Sequence, residues 1–252
     1  MSELAPQILR FESLPSTNLE AATRAIAGWP EGICVVAAEQ TAGRGRLQRH
    51  WVSPKNAGLY FSIIIRPQFE QSVWPLLTLM AAVAVHDALR DACALETDIK
   101  WPNDILVSEK KICGILAETV ETPLGRAVVV GIGINLTTKS FPTELEALAT
   151  SVEAAGNQTP ELEVVLEALV RALVLHYEVL NQAGGAEETI KQWCARSSYG
   201  EGKLIRVSGI GGSESLVGTT RGLERDGALR VETPTGEIKV VRAGDVTSVR
   251  PG

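Results

Sequence analysis

DIKWPNDILV (98–107), KICGILAETV (111–120) and RAVVVGIGINL (126–136) are three strand-like runs joined by SEKK (108–111) and ETPLG (121–125). A parallel return needs a crossover of a dozen or more residues, so linkers this short predict antiparallel pairing. Upstream, GLYFSIII (58–65) has the β-branched and aromatic richness of a further strand, ended by Arg66-Pro67, and ICVVAAEQ (33–40) precedes it. Apolar residues at 73, 76, 77, 80, 84 and 88 form the stripe of a helix lying on a sheet over 73–93. The expected fold class is α+β: a mixed, largely antiparallel sheet with helices packed on it.

End signals mark two more helices. Thr17 with Glu20 reads as a capping box opening a helix over 17–28, which Gly28 and Trp29-Pro30 stop. Thr159 as cap, Pro160 at the first helical position and Gly184-Gly185 as stop bracket a long helix over 160–181. Its stripe of 162, 165, 166, 169, 173 and 180 should face the core. After Cys194 the pattern changes to KLIRVSG (203–209), SLVGTTRGLE (215–224), ALRVETP (228–234) and EIKVVRAGDVTSVR (237–250). Short alternating segments between turn residues read as a small β-barrel. Two domains are expected, 1–199 and 200–252.

Composition narrows the function. The 252 residues carry 24 basic and 30 acidic side chains, 24 − 30 = −6, which argues against broad nucleic-acid binding. The longest apolar run, Leu76 to Val85, falls short of the ~20 residues a membrane span needs. No basic-then-apolar leader opens the chain, so the cytoplasm is expected. Cysteines 34, 93, 113 and 194 form no CxxC pair, so no zinc or disulfide role is expected and no protein-held metal site is read. HExxH and GxSxG are absent too, which leaves zinc- and serine-hydrolase chemistry without residues.

Chemistry concentrates in three stretches. In GRGRLQRHW (43–51), an extended backbone would project Arg44 and Arg46 to one side, with Gly43 and Gly45 free to take φ > 0 near a ligand. Paired guanidiniums beside open amides suit a phosphate or carboxylate; a solvated basic loop is the bland alternative. In KWPND (100–104) leading to Lys110-Lys111, a hairpin would return the Lys111 ammonium over the face carrying Asn103 and Asp104; surface charge at a turn is the plainer reading. GIGIN (131–135) resembles half of a dinucleotide fingerprint, but Leu136 stands where the third glycine belongs and no helix follows. Its glycines more simply allow a close approach, with Asn135 at the strand end open to a base or ribose. Ser16-Thr17-Asn18 are helix-cap residues that could also hold polar ligand atoms.

The combination of STN (16–18), GRGR (43–46) with Trp51, KWPND (100–104), KICGIL (111–116) and GIGIN (131–135) resembles the catalytic domain of the biotin protein ligases, the biotin–[acetyl-CoA-carboxylase] ligases, over most of 10–140. The segments after 200 are similar to that family's SH3-like C-terminal domain. The resemblance implies a class II aminoacyl-tRNA synthetase-like fold and a two-step reaction with biotin as substrate and Mg²⁺ accompanying ATP. Biotinyl-5′-AMP forms first, and biotin then passes to a lysine of a biotin carboxyl carrier protein, the acetyl-CoA carboxylase subunit, or of another biotin-dependent carboxylase domain.

It further implies that Lys111, Arg44 and Arg46 are catalytic. Ser16, Thr17, Asn18, Gln40, Gly43, Arg44, Gly45, Arg46, Lys111 and Gly114 would surround biotin, and Trp51, Asn103, Asp104, Asn135 and Arg250 the nucleotide. Gln48 departs from the small residue usual in the family's loop. Some family members also repress transcription through an N-terminal helix-turn-helix domain. Only about fifteen residues precede Ser16, so the resemblance is to the monofunctional type, with no nucleic-acid partner and no membrane. A homodimer through an exposed sheet edge is open. The rival readings are a lipoate or octanoate ligase or transferase and a non-catalytic biotin-sensing regulator.

Overall fold

A computed structural model describes residues 4–156, 158–208 and 215–249. Its larger sheet has seven strands: β1 (Gln7–Phe11), β2 (Ile33–Ala37), β3 (Gly58–Ile65), β4 (Asp98–Lys100), β5 (Asp104–Val107), β6 (Lys110–Thr122) and β7 (Gly125–Asn135). Their order is β1-β2-β3-β7-β6-β5-β4. Within this sheet β1 and β2 pair in parallel and the other ladders are antiparallel, which the short linkers require from β4 to β7.

Helices cover the two faces unequally. On one lie α2 (Leu76–Cys93), α4 (Leu162–Leu180) and α5 (Gly185–Ala195), over the large core that includes Phe61, Ile63, Leu77, Met80, Ile132 and Leu169. Each large aliphatic side chain so buried contributes about 1.5–3 kcal/mol. A short α3 (Val152–Gly156) precedes α4. The opposite face carries α1 (Thr17–Ile26), seated by Ala21 and Ala25 on Val35, Ile64, Ala127 and Val129. Because α1 covers only part of that face, the strand ends beyond its N-terminus are left open for a site.

The second sheet consists of β8 (Glu201–Ser208), β9 (Leu216–Leu223), β10 (Leu229–Glu232), β11 (Ile238–Val241) and β12 (Asp245–Ser248), in the order β11-β10-β9-β8-β12. It is antiparallel throughout. Among the described residues no ladder closes β11 onto β12, so the expected barrel is a five-stranded SH3-like sheet. Trp101 Nε1 donates to the Gly227 carbonyl (3.0 Å), and Ile205, Val207, Leu229 and Val231 continue the main core, which joins this sheet to the larger one.

Several boundaries differ from expectation, each for a local reason. The run 98–107 is two strands, because Trp101-Pro102-Asn103 turn the chain back on itself. EIKVVRAGDVTSVR likewise divides into β11 and β12. Ser16, not Thr17, is the N-cap of α1, and no capping box forms: Glu20 accepts from Arg24 (2.8 Å), while the Thr17 hydroxyl turns to Gln40 and Ser62. The long helix starts at Leu162 after Glu161, since the Thr159 hydroxyl donates to Glu153 instead of capping. Residues 209–214, within an expected turn, and Arg250 lie outside the described residues.

Candidate active site

Alternation along β7 decides the floor of the site. Its even positions, Val128, Val130, Ile132 and Ile134, enter the large core, while Ala127 and Val129 lie under α1. Gly131, Gly133 and Asn135 continue that second row past the end of α1, where they line a cavity of about 270 Å³. A Cβ on Gly131 would stand 1.9 Å from Asn18 Oδ1, and one on Gly133 2.5 Å from Trp51 Nε1. The glycines therefore do admit a close approach, but by side chains of this chain.

One end of the cavity is a hydrogen-bond network. Ser62, fully buried on β3, places its hydroxyl 2.6 Å from Asn18 Oδ1 and 2.8 Å from Thr17 Oγ1. Since Asn18 Oδ1 only accepts, Ser62 donates to it. The Thr17 backbone amide donates to Gln40 Oε1 (2.9 Å), and Gln40 Nε2 donates to Ser53 Oγ (2.8 Å). Asn18 Nδ2 is shared between the Leu116 carbonyl and Glu118 Oε2, 3.2 and 3.0 Å away. Each carboxamide is thereby held in one orientation, which is what recognition of a small polar ring requires.

The arginine segment closes over this floor. Arg44 bridges to His50, and Arg46–Gln48 form one 3-10 turn. The left-handed residues are Leu47 (φ 55°) and Gln48 (φ 60°), not Gly43 or Gly45 as expected. Gly43 serves close approach, because its Cβ would fall 2.3 Å from the Trp51 carbonyl. Arg44 Nη2 donates to Glu118 Oε1 (2.6 Å) and Arg46 Nη1 to Asn103 Oδ1 (3.1 Å).

Lys111 comes from the β5–β6 hairpin. Strict alternation would send it to the core side with Cys113 and Ile115. A bulge intervenes: Ile105 pairs with Cys113 but its neighbour Leu106 with Lys111, so the ammonium turns into the cavity. Its Nζ lies 2.6 Å from Asp104 Oδ1 and 5.2 Å from the Trp51 ring centroid. Nearby Lys100 is held below the ordinary lysine range by burial, with Lys111 and Arg49 adding to the depression and Asp104 and Asp245 opposing it. Burial pushes the Cys34 thiol up to about 12 and raises Cys113 too, so neither is a nucleophile.

Of the residues singled out from the sequence, Ser16, Thr17, Asn18, Gln40, Arg44, Gly45, Arg46, Trp51, Asn103, Asp104, Lys111, Gly114 and Asn135 all line this one cavity. Gly43 does not; it lies behind, against Trp51 and Ser53. Asn135 Nδ2 donates to the Thr150 carbonyl (3.0 Å), which uses one of its two N–H groups and fixes the carboxamide at the cavity wall. Ser62, Glu118, Arg49 and Asp245 were not foreseen. The first two had a signal, each being a polar residue inside an apolar strand run; the pairing of the last two depends on tertiary structure.

The Biotin/lipoate A/B protein ligase family matches residues 10–135 and the Biotin protein ligase C terminal domain matches 202–247. The chain is 35% identical over 246 residues to the "Bifunctional ligase/repressor BirA" of Bacillus subtilis (strain 168), covering 96% of this chain and 74% of that protein. It is 36% identical over 239 residues to the "Biotin--[acetyl-CoA-carboxylase] ligase" of Paracoccus denitrificans, covering 92% and 96%. Among solved structures, the biotin protein ligase from Aquifex aeolicus in complex with biotin and ATP superposes with a TM-score of 0.82 at 27% identity, over 97% of this chain and 99% of that one. The chain belongs to the Biotin/lipoate A/B protein ligase family, and within it to the biotin protein ligases.

Proposed function

We propose that this cavity carries out both halves of the ligase reaction, with Arg44, Arg46 and Lys111 as the catalytic cations. Biotin's carboxylate oxygen attacks the α-phosphorus of ATP, the bond to the β-phosphate breaks, and biotinyl-5′-AMP and pyrophosphate result. A neutral lysine amine of the acceptor then attacks the acyl carbonyl; AMP leaves, the amine proton goes to solvent and an amide remains. Two anions must meet in the first step, so positive side chains are needed to offset repulsion and stabilise charge at phosphorus. The observation that carries the reading is that these three cations, from segments more than sixty residues apart, line one cavity.

The polar end formed by Ser16, Thr17, Asn18 and Gln40 supports biotin over lipoate or octanoate, because an array of fixed donors and acceptors suits a ureido ring and leaves an alkyl or dithiolane group unmatched. Trp51, Asn103, Asp104 and Asn135 would border the nucleotide. Among the described residues no cluster of three or more His, Cys, Asp or Glu is placed to hold a metal. Asp104 and Asp245, the cavity's carboxylates, are each already paired with a cation. That donor set fits a Mg²⁺ ion held chiefly by ATP's phosphates and water, with Asp104 as its protein ligand. Bound there, the ion would neutralise phosphate charge.

The acceptor is the biotin carboxyl carrier domain of a carboxylase. Residues 1–199 and 200–252 form the catalytic and C-terminal domains, and an exposed edge of the seven-stranded sheet could pair two copies. Four free thiols suit the cytoplasm, and no helix among the described residues is long and apolar enough to cross a membrane. The test is mass spectrometry of a purified carrier domain incubated with the protein, ATP, MgCl₂ and biotin, lipoate or octanoate. Gain of one biotinyl group is expected; acylation by lipoate or octanoate instead overturns the assignment, and no acylation supports a sensor.

A further inference from the structure

The three arginines of segment 44–49 are tied to three different parts of the molecule. Arg44 reaches Glu118 on β6, Arg46 reaches Asn103 in the turn between β4 and β5, and Arg49 pairs with Asp245 at the start of β12. The segment has little packing of its own: none of residues 46–48 is buried, and Leu47 is 52% exposed. Leu47 and Gln48 both hold left-handed conformations, which are unfavourable for residues other than glycine. A segment so shaped keeps its form because the surrounding structure holds it.

Asp245 belongs to the C-terminal sheet, yet it lines the catalytic cavity with Arg46, Asp104 and Lys111. Its charge acts on the partly buried Lys100 and opposes that of Arg49 there. We propose that Asp245 is a positioning residue: by holding Arg49 it fastens the arginine segment over the acyl-adenylate, so the C-terminal sheet sets how long that intermediate is retained. This rests on the ligase reading above. Arg49 and Asp245 are 65% and 32% exposed, and such a pair contributes little to global stability. Its effect falls on the weakly packed segment it tethers.

The experiment uses the full chain, loaded with biotin and ATP in MgCl₂, and follows release of biotinyl-5′-AMP by rapid filtration for wild type, Asp245→Asn, Arg49→Gln and the double variant. Each single variant should release adenylate about fivefold faster, and the double variant no faster than either single, with melting temperatures unchanged. Wild type in 1 M NaCl should approach the Asp245→Asn rate, because exposed pairs are screened there. Release by Asp245→Asn at the wild-type rate overturns the proposal. So do single effects that multiply in the double variant, and faster release accompanied by a fall in melting temperature. Failure of the wild type to form any adenylate strikes at the ligase reading instead.

Discussion

Asn18 and Gly131 compete for the same volume: a methyl group on Gly131 would stand 1.9 Å from Asn18 Oδ1, inside any permitted contact. The glycine is therefore the reason the Asn18 carboxamide can come so close to β7 and bond Leu116 and Glu118. Gly131→Ala must push that carboxamide aside. The KM for biotin in pyrophosphate exchange should rise about tenfold or more, equivalent to about 1.4 kcal/mol of lost binding, with kcat less affected. An unchanged KM would mean Asn18 does not touch biotin.

Ser62 supports the same carboxamide from beneath. Ser62→Ala leaves Asn18 Oδ1 without its buried donor and should destabilise the fold by about 1–3 kcal/mol. Denaturant unfolding measures that loss, and KM for biotin should rise alongside it. Ser62→Thr retains the hydroxyl and should preserve binding more nearly.

Lys111 supplies a charge that no neighbour replaces from the same position. Lys111→Ala is expected to lower biotin-dependent pyrophosphate exchange by about 10²–10³-fold, the scale for removing one group that stabilises transition-state charge. Circular dichroism should stay unchanged, since Lys111 is partly exposed and Lys100 Nζ remains 4.0 Å from Asp104 Oδ2. Retained exchange would remove Lys111 from the chemistry.

Acid should unfold the protein through a cluster that is not part of the cavity lining. Asp87 on α2 accepts from Arg196 Nε (3.0 Å) and Nη2 (3.1 Å) and from His176 Nε2 (2.9 Å). Burial disfavours its ionised form, but these hydrogen bonds and the Arg196 charge outweigh burial and hold the carboxyl well below the ordinary 3.8. Its contribution is present above that ordinary value and is lost as pH falls through the depressed one. His86, lowered from 6.5 by burial, acts in the same direction, because the unfolded chain takes up its proton first. Thermal unfolding should show stability declining below about pH 6.5 through His86 and more steeply below about pH 4 through Asp87. Asp87→Asn should flatten the steeper limb at a cost of about 3 kcal/mol near neutrality.

Much of this molecule follows from the chain order alone. GLYFSIII spans β3 residue for residue, and linkers too short for a crossover dictated antiparallel pairing of β5, β6 and β7. Alternation and linker length are local properties, so they survive in the sequence. Whether Thr17 caps a helix or bonds Gln40, and whether Gly43 takes a positive φ or merely yields room to Trp51, depended on neighbours supplied from elsewhere. The bulge that swings Lys111 out of the core row and the meeting of Arg49 with Asp245, 196 residues away, were likewise decided by tertiary structure. Contacts of that range depend on how the two sheets pack together, and no local pattern encodes that packing.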